Sequence, residues 1–182
     1  MVAASFDPTH AVRFDLPHGT VRAAGEDEAL LLIPAAALNG LARSAVPEAV
    51  EALGLKMGSA LGRRVALRMI DPHGASVEEF VTELAGQAAL CGLGALSIER
   101  WGRALVVTLE QSPLDGAIIG PLVAAAIEAA AGTRVWCAVL SVDDRASRIF
   151  VGSHSGVTRV REWLASGLAW GAVVARLHGV GT

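Results

Sequence analysis

The sequence predicts an α+β fold: a small antiparallel sheet covered by helices, with a helix pair at the C-terminal end. Three observations carry that expectation. Ser76-Val77-Glu78-Glu79 is a capping box, since Ser76 can accept from the Glu79 amide while the Glu79 carboxylate reaches back, so a helix opens there and runs to Cys91-Gly92. Two pairs of strand-like runs follow: Ala95 to Arg100 with Ala104 to Glu110 about Trp101-Gly102-Arg103, then Arg134 to Val142 with Ser147 to Val151 about Asp143-Asp144-Arg145. Between the pairs lies Gly116 to Ala131, an almost wholly apolar helix closed by Gly132.

The remaining elements follow from period and punctuation. Val12 to Leu16 and Thr20 to Ala23 flank Pro17-His18-Gly19 and read as a hairpin. Leu30 to Ile33 is an extended lead into a short helix at Pro34 to Arg43. A long helix spans about Pro47 to Met69, where Val50, Leu53, Met57, Leu61 and Val65 recur at steps of three or four. Two amphipathic helices, about Ser155 to Ser166 and Leu168 to Leu177, finish the chain. Their apolar faces, Val157, Val160, Trp163 and Leu164 on the first and Trp170, Val173, Val174 and Leu177 on the second, meet either the domain itself or a partner. One domain over 1–182 is expected, with an N-terminal hairpin segment over 1–29, a core over 30–152 and the helix pair over 153–182.

Composition excludes several classes. The 182 residues are 53% hydrophobic, with a mean hydropathy of +0.49. Charges and Pro or Gly breaks nevertheless interrupt the apolar runs before the roughly 18 residues a membrane span needs. MVAASFDPTH has no basic region leading into an apolar run, so a cytoplasmic location is expected. A net charge of -3 without a basic run leaves no footprint for nucleic acid. Two cysteines, Cys91 and Cys137, are too few for a disulfide framework.

The polar candidates offer little chemistry. His10, His18, His73, His154 and His178 are scattered and read as surface residues. Asp143-Asp144 sits in a turn, where Asp serves its own backbone. Gly92-Leu93-Gly94 lacks the strand-loop-helix setting of a phosphate loop. Ser153-His154-Ser155 holds adjacent residues that do not meet in triad geometry, with no acid beside them. No nicotinamide or flavin site is visible, so no cofactor and no catalytic residue is assigned.

Gly54, Gly58 and Gly62 stand four apart inside the long helix, where each costs roughly 1 kcal/mol relative to Ala. Such a stripe lets another element approach the backbone closely, or leaves room for a ligand or a partner's helix. It is assigned here to close helix packing near a dimer interface.

The run from Gly92 to Val151 carries a resemblance in the order of its features: Gly92-Leu93-Gly94 before a strand pair, Ser112-Pro113 as a polar break, Gly120 and Gly132 in and after the apolar helix, and Phe150 closing the second pair. In that order it resembles the 4-vinyl reductase domain, related to the small subunits of the TRAPP tethering complex, over roughly residues 30 to 152. The resemblance implies a homodimer with a shared helical layer and an apolar channel beside the sheet. It also implies, for sensing members, a cysteine-rich structural metal site. Here Cys137 is the only thiol after Cys91 and Leu140 cannot ligate, so no metal is expected. Cys137 reads as a buried strand residue. Cys91, in AALCGLG, reads as a small hydrophobe or, by the resemblance, as a thiol able to carry an acyl chain.

With the resemblance as its main support, an apolar pocket is expected between the Gly116 to Ala131 helix and the sheet. Its lining would be Ile118, Leu122 and Ala125 from the helix, Leu96, Ile98, Leu105, Val107 and Leu140 from the strands, Trp101 and Trp136 as walls, and Cys91 at the adjacent helix end. The function expected is a non-catalytic ligand-binding or regulatory module for an apolar small molecule or acyl chain. A dimeric scaffold in the manner of a tethering subunit, recognising a protein partner without a ligand, is the alternative. An accessory role in tetrapyrrole vinyl reduction ranks third.

Overall fold

The computed structural model describes residues 6–9, 11–69, 76–101 and 104–179. His10, His73 and the Gly102-Arg103 turn lie outside them, as does the side chain of His178. The described chain opens with a three-stranded antiparallel sheet of β1 (Val12–Asp15), β2 (Thr20–Ala23) and β3 (Ala29–Leu30), in that spatial order. The expected hairpin is present. Gly19 takes φ 64° in the turn, and the His18 ring nitrogen lies 3.0 Å from the Asp15 carboxylate. Of the extended lead only Leu30 pairs as strand, together with Ala29 before it; Leu31, Leu32 and Ile33 run on unpaired to Pro34.

Helices α1 (Ala35–Ser44), α2 (Pro47–Arg68) and α3 (Val77–Leu90) follow. Pro47 stands in the first turn of α2, where its missing N–H removes nothing. The capping box of α3 is formed: Glu79 N donates to Ser76 Oγ at 3.2 Å and Ser76 N donates to Glu79 Oε2 at 3.0 Å. Then come β4 (Ala95–Trp101), β5 (Ala104–Glu110), α4 (Gly116–Ala131), β6 (Trp136–Val142), β7 (Ala146–Gly152), α5 (His154–Ala165) and α6 (Trp170–Gly179). Asp115 caps α4 by accepting from Ala117 N at 3.0 Å, and Gly132 ends it at φ 67°. Asn39 ties α1 to that cap, donating to the Pro113 carbonyl at 2.7 Å and accepting from Asp115 N at 3.0 Å.

The two predicted strand pairs join into one sheet of order β4-β5-β7-β6, antiparallel throughout, because β5 also pairs with β7. Its register divides the side chains between two faces. Ile98 opposes Val107, Val107 opposes Ile149 and Cys137 opposes Val151, and this set packs with α2, α3 and α4. Trp101 opposes Ala104, Val106 opposes Phe150 and Phe150 opposes Ala138, and this set packs with α5 and α6. The C-terminal helix pair therefore covers the sheet's second face, with Val157, Val160, Val173 and Val174 buried. The domain, not a partner, takes those two faces.

The glycine stripe of α2 is used inside the chain. A Cβ on Gly54 would come 2.7 Å from the Ile118 carbonyl oxygen, and Cβ atoms on Gly58 and Gly62 would press on the carbonyls of Leu122 and Ala126. The offset between partners is constant, so α2 and α4 run parallel and in register with backbones nearly touching. Close packing is thus what the glycines serve. Their assignment to an interface between copies is corrected, because α4 already covers this surface.

Candidate functional site

Beneath the buried face of α4 the expected pocket against the sheet is closed. Ile118, Ile119, Leu122 and Val123 pack there at 3% exposure or less, and the void beside them is only about 10 Å³. A space that small holds no ligand. The strand residues assigned to the pocket are also split by the sheet. Leu96, Ile98 and Val107 belong to the α4 face, as does Leu105 by pairing, though Leu105 is 36% exposed at the sheet's end. Trp101, Trp136 and Leu140 belong to the α5–α6 face. There Trp101 meets Trp170 with ring centroids 5.6 Å apart, and Trp136 meets the His154 ring edge-on at the same separation. Ala125 turns from the sheet toward Gly58. With Trp136 and Val139 of β6 it lines an open groove of about 760 Å³ among α1, α2, α4 and the edge of the sheet, which also carries Glu51, Glu128, Arg134 and Arg161.

A different cavity, of about 610 Å³, lies between the N-terminal sheet and the helical layer. Met57, Leu61 and Leu122 form its floor, while Val12, Val21 and Leu30 stand on the strand side. Of the residues expected in a pocket, Cys91 and Leu122 meet here. Phe14, Leu31 and Leu32 also border it, at 60%, 80% and 78% exposure. A protein rarely presents large apolar side chains this openly around a concavity without an occupant or partner to cover them.

Among the described residues, the cavity wall carries one charged group. Arg64 is 11% exposed; its Nε donates to Glu26 Oε2 at 3.1 Å and its Nη1 donates to Cys91 Sγ at 3.1 Å. One turn further along α2, Arg68 pairs with Glu83 at 2.8 Å, and Gln87 Nε2 donates to Glu83 Oε1 at 3.0 Å. These contacts join α2 to α3 beside the cavity. Cys91 is not the buried hydrophobe expected. It is the C-cap of α3, followed by Gly92 at φ 69°, and it leaves the helix exposed at the cavity's edge. The position of Arg64 was readable in principle, because it falls seven residues after Met57 on the same helical stripe as Leu61. A charged residue on an apolar stripe was the signal.

The other polar candidates have local duties. Ser153 Oγ accepts from Gly156 N at 3.3 Å and caps α5. Asp143 accepts from the amides of Arg145 and Ala146 at 2.9 Å each and from Arg148 Nη1 at 2.9 Å. Those bonds hold its carboxyl below the usual carboxylate value, the backbone donors first and the arginine after them. Cys137 is buried, and burial pushes its thiol up to about 12 against the opposing pull of the Arg161 charge. Among the described residues, no three His, Cys, Asp or Glu side chains gather as a metal would require. No helix among them is long and apolar enough to cross a membrane.

No family model matches the chain, and no curated protein does. Among solved structures, the phenol-responsive sensory domain of the transcription activator PoxR, with phenol, has a similar fold. The TM-score is 0.55 at 15% sequence identity, over 78% of this chain and 84% of that chain. This finding corrects the resemblance drawn from the sequence to the 4-vinyl reductase domain and the TRAPP small subunits, on which the tetrapyrrole role had rested. The features behind that resemblance have general causes. Gly92, Gly94 and Gly132 take φ of 69°, 105° and 67° at turns and a helix end, and Gly120 gives Val139 room to approach α4. Any compact sheet-and-helix domain needs such positions.

Proposed function

We propose that the chain is a non-catalytic ligand-binding regulatory module whose ligand is an apolar small molecule held between the N-terminal sheet and α2. The observation that carries this reading is the 610 Å³ cavity with its apolar floor and uncovered rim. Its size falls within the range of small-molecule sites, which are mostly apolar with few polar groups. The likeness to a phenol-responsive sensory domain supports the same class. In a regulatory module the ligand would fasten the N-terminal sheet to the helical layer, and that ordering would be the signal. A cytoplasmic location belongs to the same proposal.

A second reading, a homodimer or a scaffold that meets a protein partner, is favoured by Leu31 and Leu32, whose exposure fits an apolar contact as well as a ligand's edge. Native mass spectrometry of gently purified protein separates the two. A copurified apolar mass of one molecule per chain supports the ligand module. A clean dimer without added mass, unmoved by apolar probes, supports the scaffold.

A further inference from the structure

The Glu26–Arg64–Cys91 contact says more about the occupant than the apolar walls do. A guanidinium has five N–H donors in a fixed fork. Among the described residues Arg64 spends one on Glu26 and one on a thiol, which is a weak acceptor. Burial leaves little water to serve the rest, so a polar group entering the cavity gains by accepting from Arg64. The sign of that group is set by Glu26. Its carboxylate already balances the arginine charge within 3.1 Å, so a second carboxylate would bring two negative charges to one positive in a partly desolvated place. A neutral oxygen acceptor carries no such cost.

We infer that Arg64, balanced by Glu26, is the specificity-determining residue of this cavity, and that it selects apolar molecules bearing one neutral oxygen acceptor over plain hydrocarbons and carboxylates. The inference rests on the cavity being the ligand site. Three probes with one apolar body test both: 1-methylnaphthalene, 1-naphthalenemethanol and 1-naphthoate, titrated by calorimetry near neutral pH. The alcohol should bind more tightly than either of the others by on the order of tenfold, the scale of one net hydrogen bond. Glu26→Gln frees the arginine charge and should turn the preference toward 1-naphthoate. The double variant Glu26→Leu/Arg64→Met replaces the pair with apolar side chains and should lower the alcohol to the affinity of 1-methylnaphthalene while the hydrocarbon still binds. Equal binding of all three, unchanged in Glu26→Gln, overturns the selectivity and leaves the cavity standing. Tightest binding of 1-naphthoate by the parent protein overturns it too. Binding of none of them overturns the ligand site itself, and the inference with it.

Discussion

Gly58 of α2 and Leu122 of α4 meet backbone to backbone: a Cβ on Gly58 would lie 2.8 Å from the Leu122 carbonyl carbon and 2.9 Å from Ala125 Cβ. The same contact puts Leu122 within reach of Met57 and Leu61, where the three form the cavity floor. Packing of the two helices and shape of the site are therefore one problem.

Gly58→Ala should destabilise the protein by roughly 1 to 3 kcal/mol, as overpacking does, although Ala is the better helix former. Gly40 is the control. It stands in α1 with nothing within 4 Å of its missing Cβ, so Gly40→Ala should stabilise by roughly 0.5 to 1 kcal/mol. Urea melts of the two variants compare them directly. Ala125→Leu should behave like Gly58→Ala, since its side chain presses on the same helix contact.

The two thiols should differ sharply in the native state. Cys91 is exposed, and Cys137 is buried with its thiol pushed up to about 12. Thiolate is the reactive form, so a disulfide reagent should label Cys91 quickly and Cys137 only on unfolding. Cys91→Ser should leave no fast phase.

Alkaline pH should expose the same burial. The native chain keeps the Cys137 proton up to about 12, whereas the unfolded thiol, at its ordinary value of 9.0, releases it sooner. Stability from this group is full below about 9 and declines as pH rises toward about 12. With no tyrosine and a single lysine, Lys56, in the chain, few other groups titrate there. Chemical melts across that window should fall less steeply for Cys137→Ala than for the parent.

Purified protein should contain no stoichiometric zinc, because one buried thiol in β6 supplies none of the further ligands a structural site needs. Elemental analysis returning one zinc per chain would contradict this.

Most of the fold was legible because its signals are local. Ser76 with Glu79, Asp115 and Gly132 mark helix ends within a few residues of themselves, and the helices and strands stand close to where period and caps placed them. The site was not legible, for two physical reasons. Strand parity separates Ile98 and Val107 from Trp101 and Trp136 once pairing is fixed, yet a pocket drawn from apolar content alone took residues from both faces. The cavity itself arises where strands near Val12, Val21 and Leu30 dock on a helix whose Leu61 is more than thirty residues away. Nothing in the local sequence at either end records that meeting, apart from the out-of-place charge of Arg64. The second face of the sheet was equally ambiguous, since Val160 and Val173 would look the same against a partner.

Calorimetric titration of 1-naphthalenemethanol into the parent protein and Ala60→Trp tests the central claim most directly. Ala60 lines the cavity on α2, and a Trp there would fill much of its space from a helix that stays intact. The parent should bind one molecule per chain, and Ala60→Trp should lose that binding while unfolding at nearly the parent's temperature. No saturable binding by the parent, or undiminished binding by a folded Ala60→Trp, would contradict the placement of a ligand between the N-terminal sheet and α2.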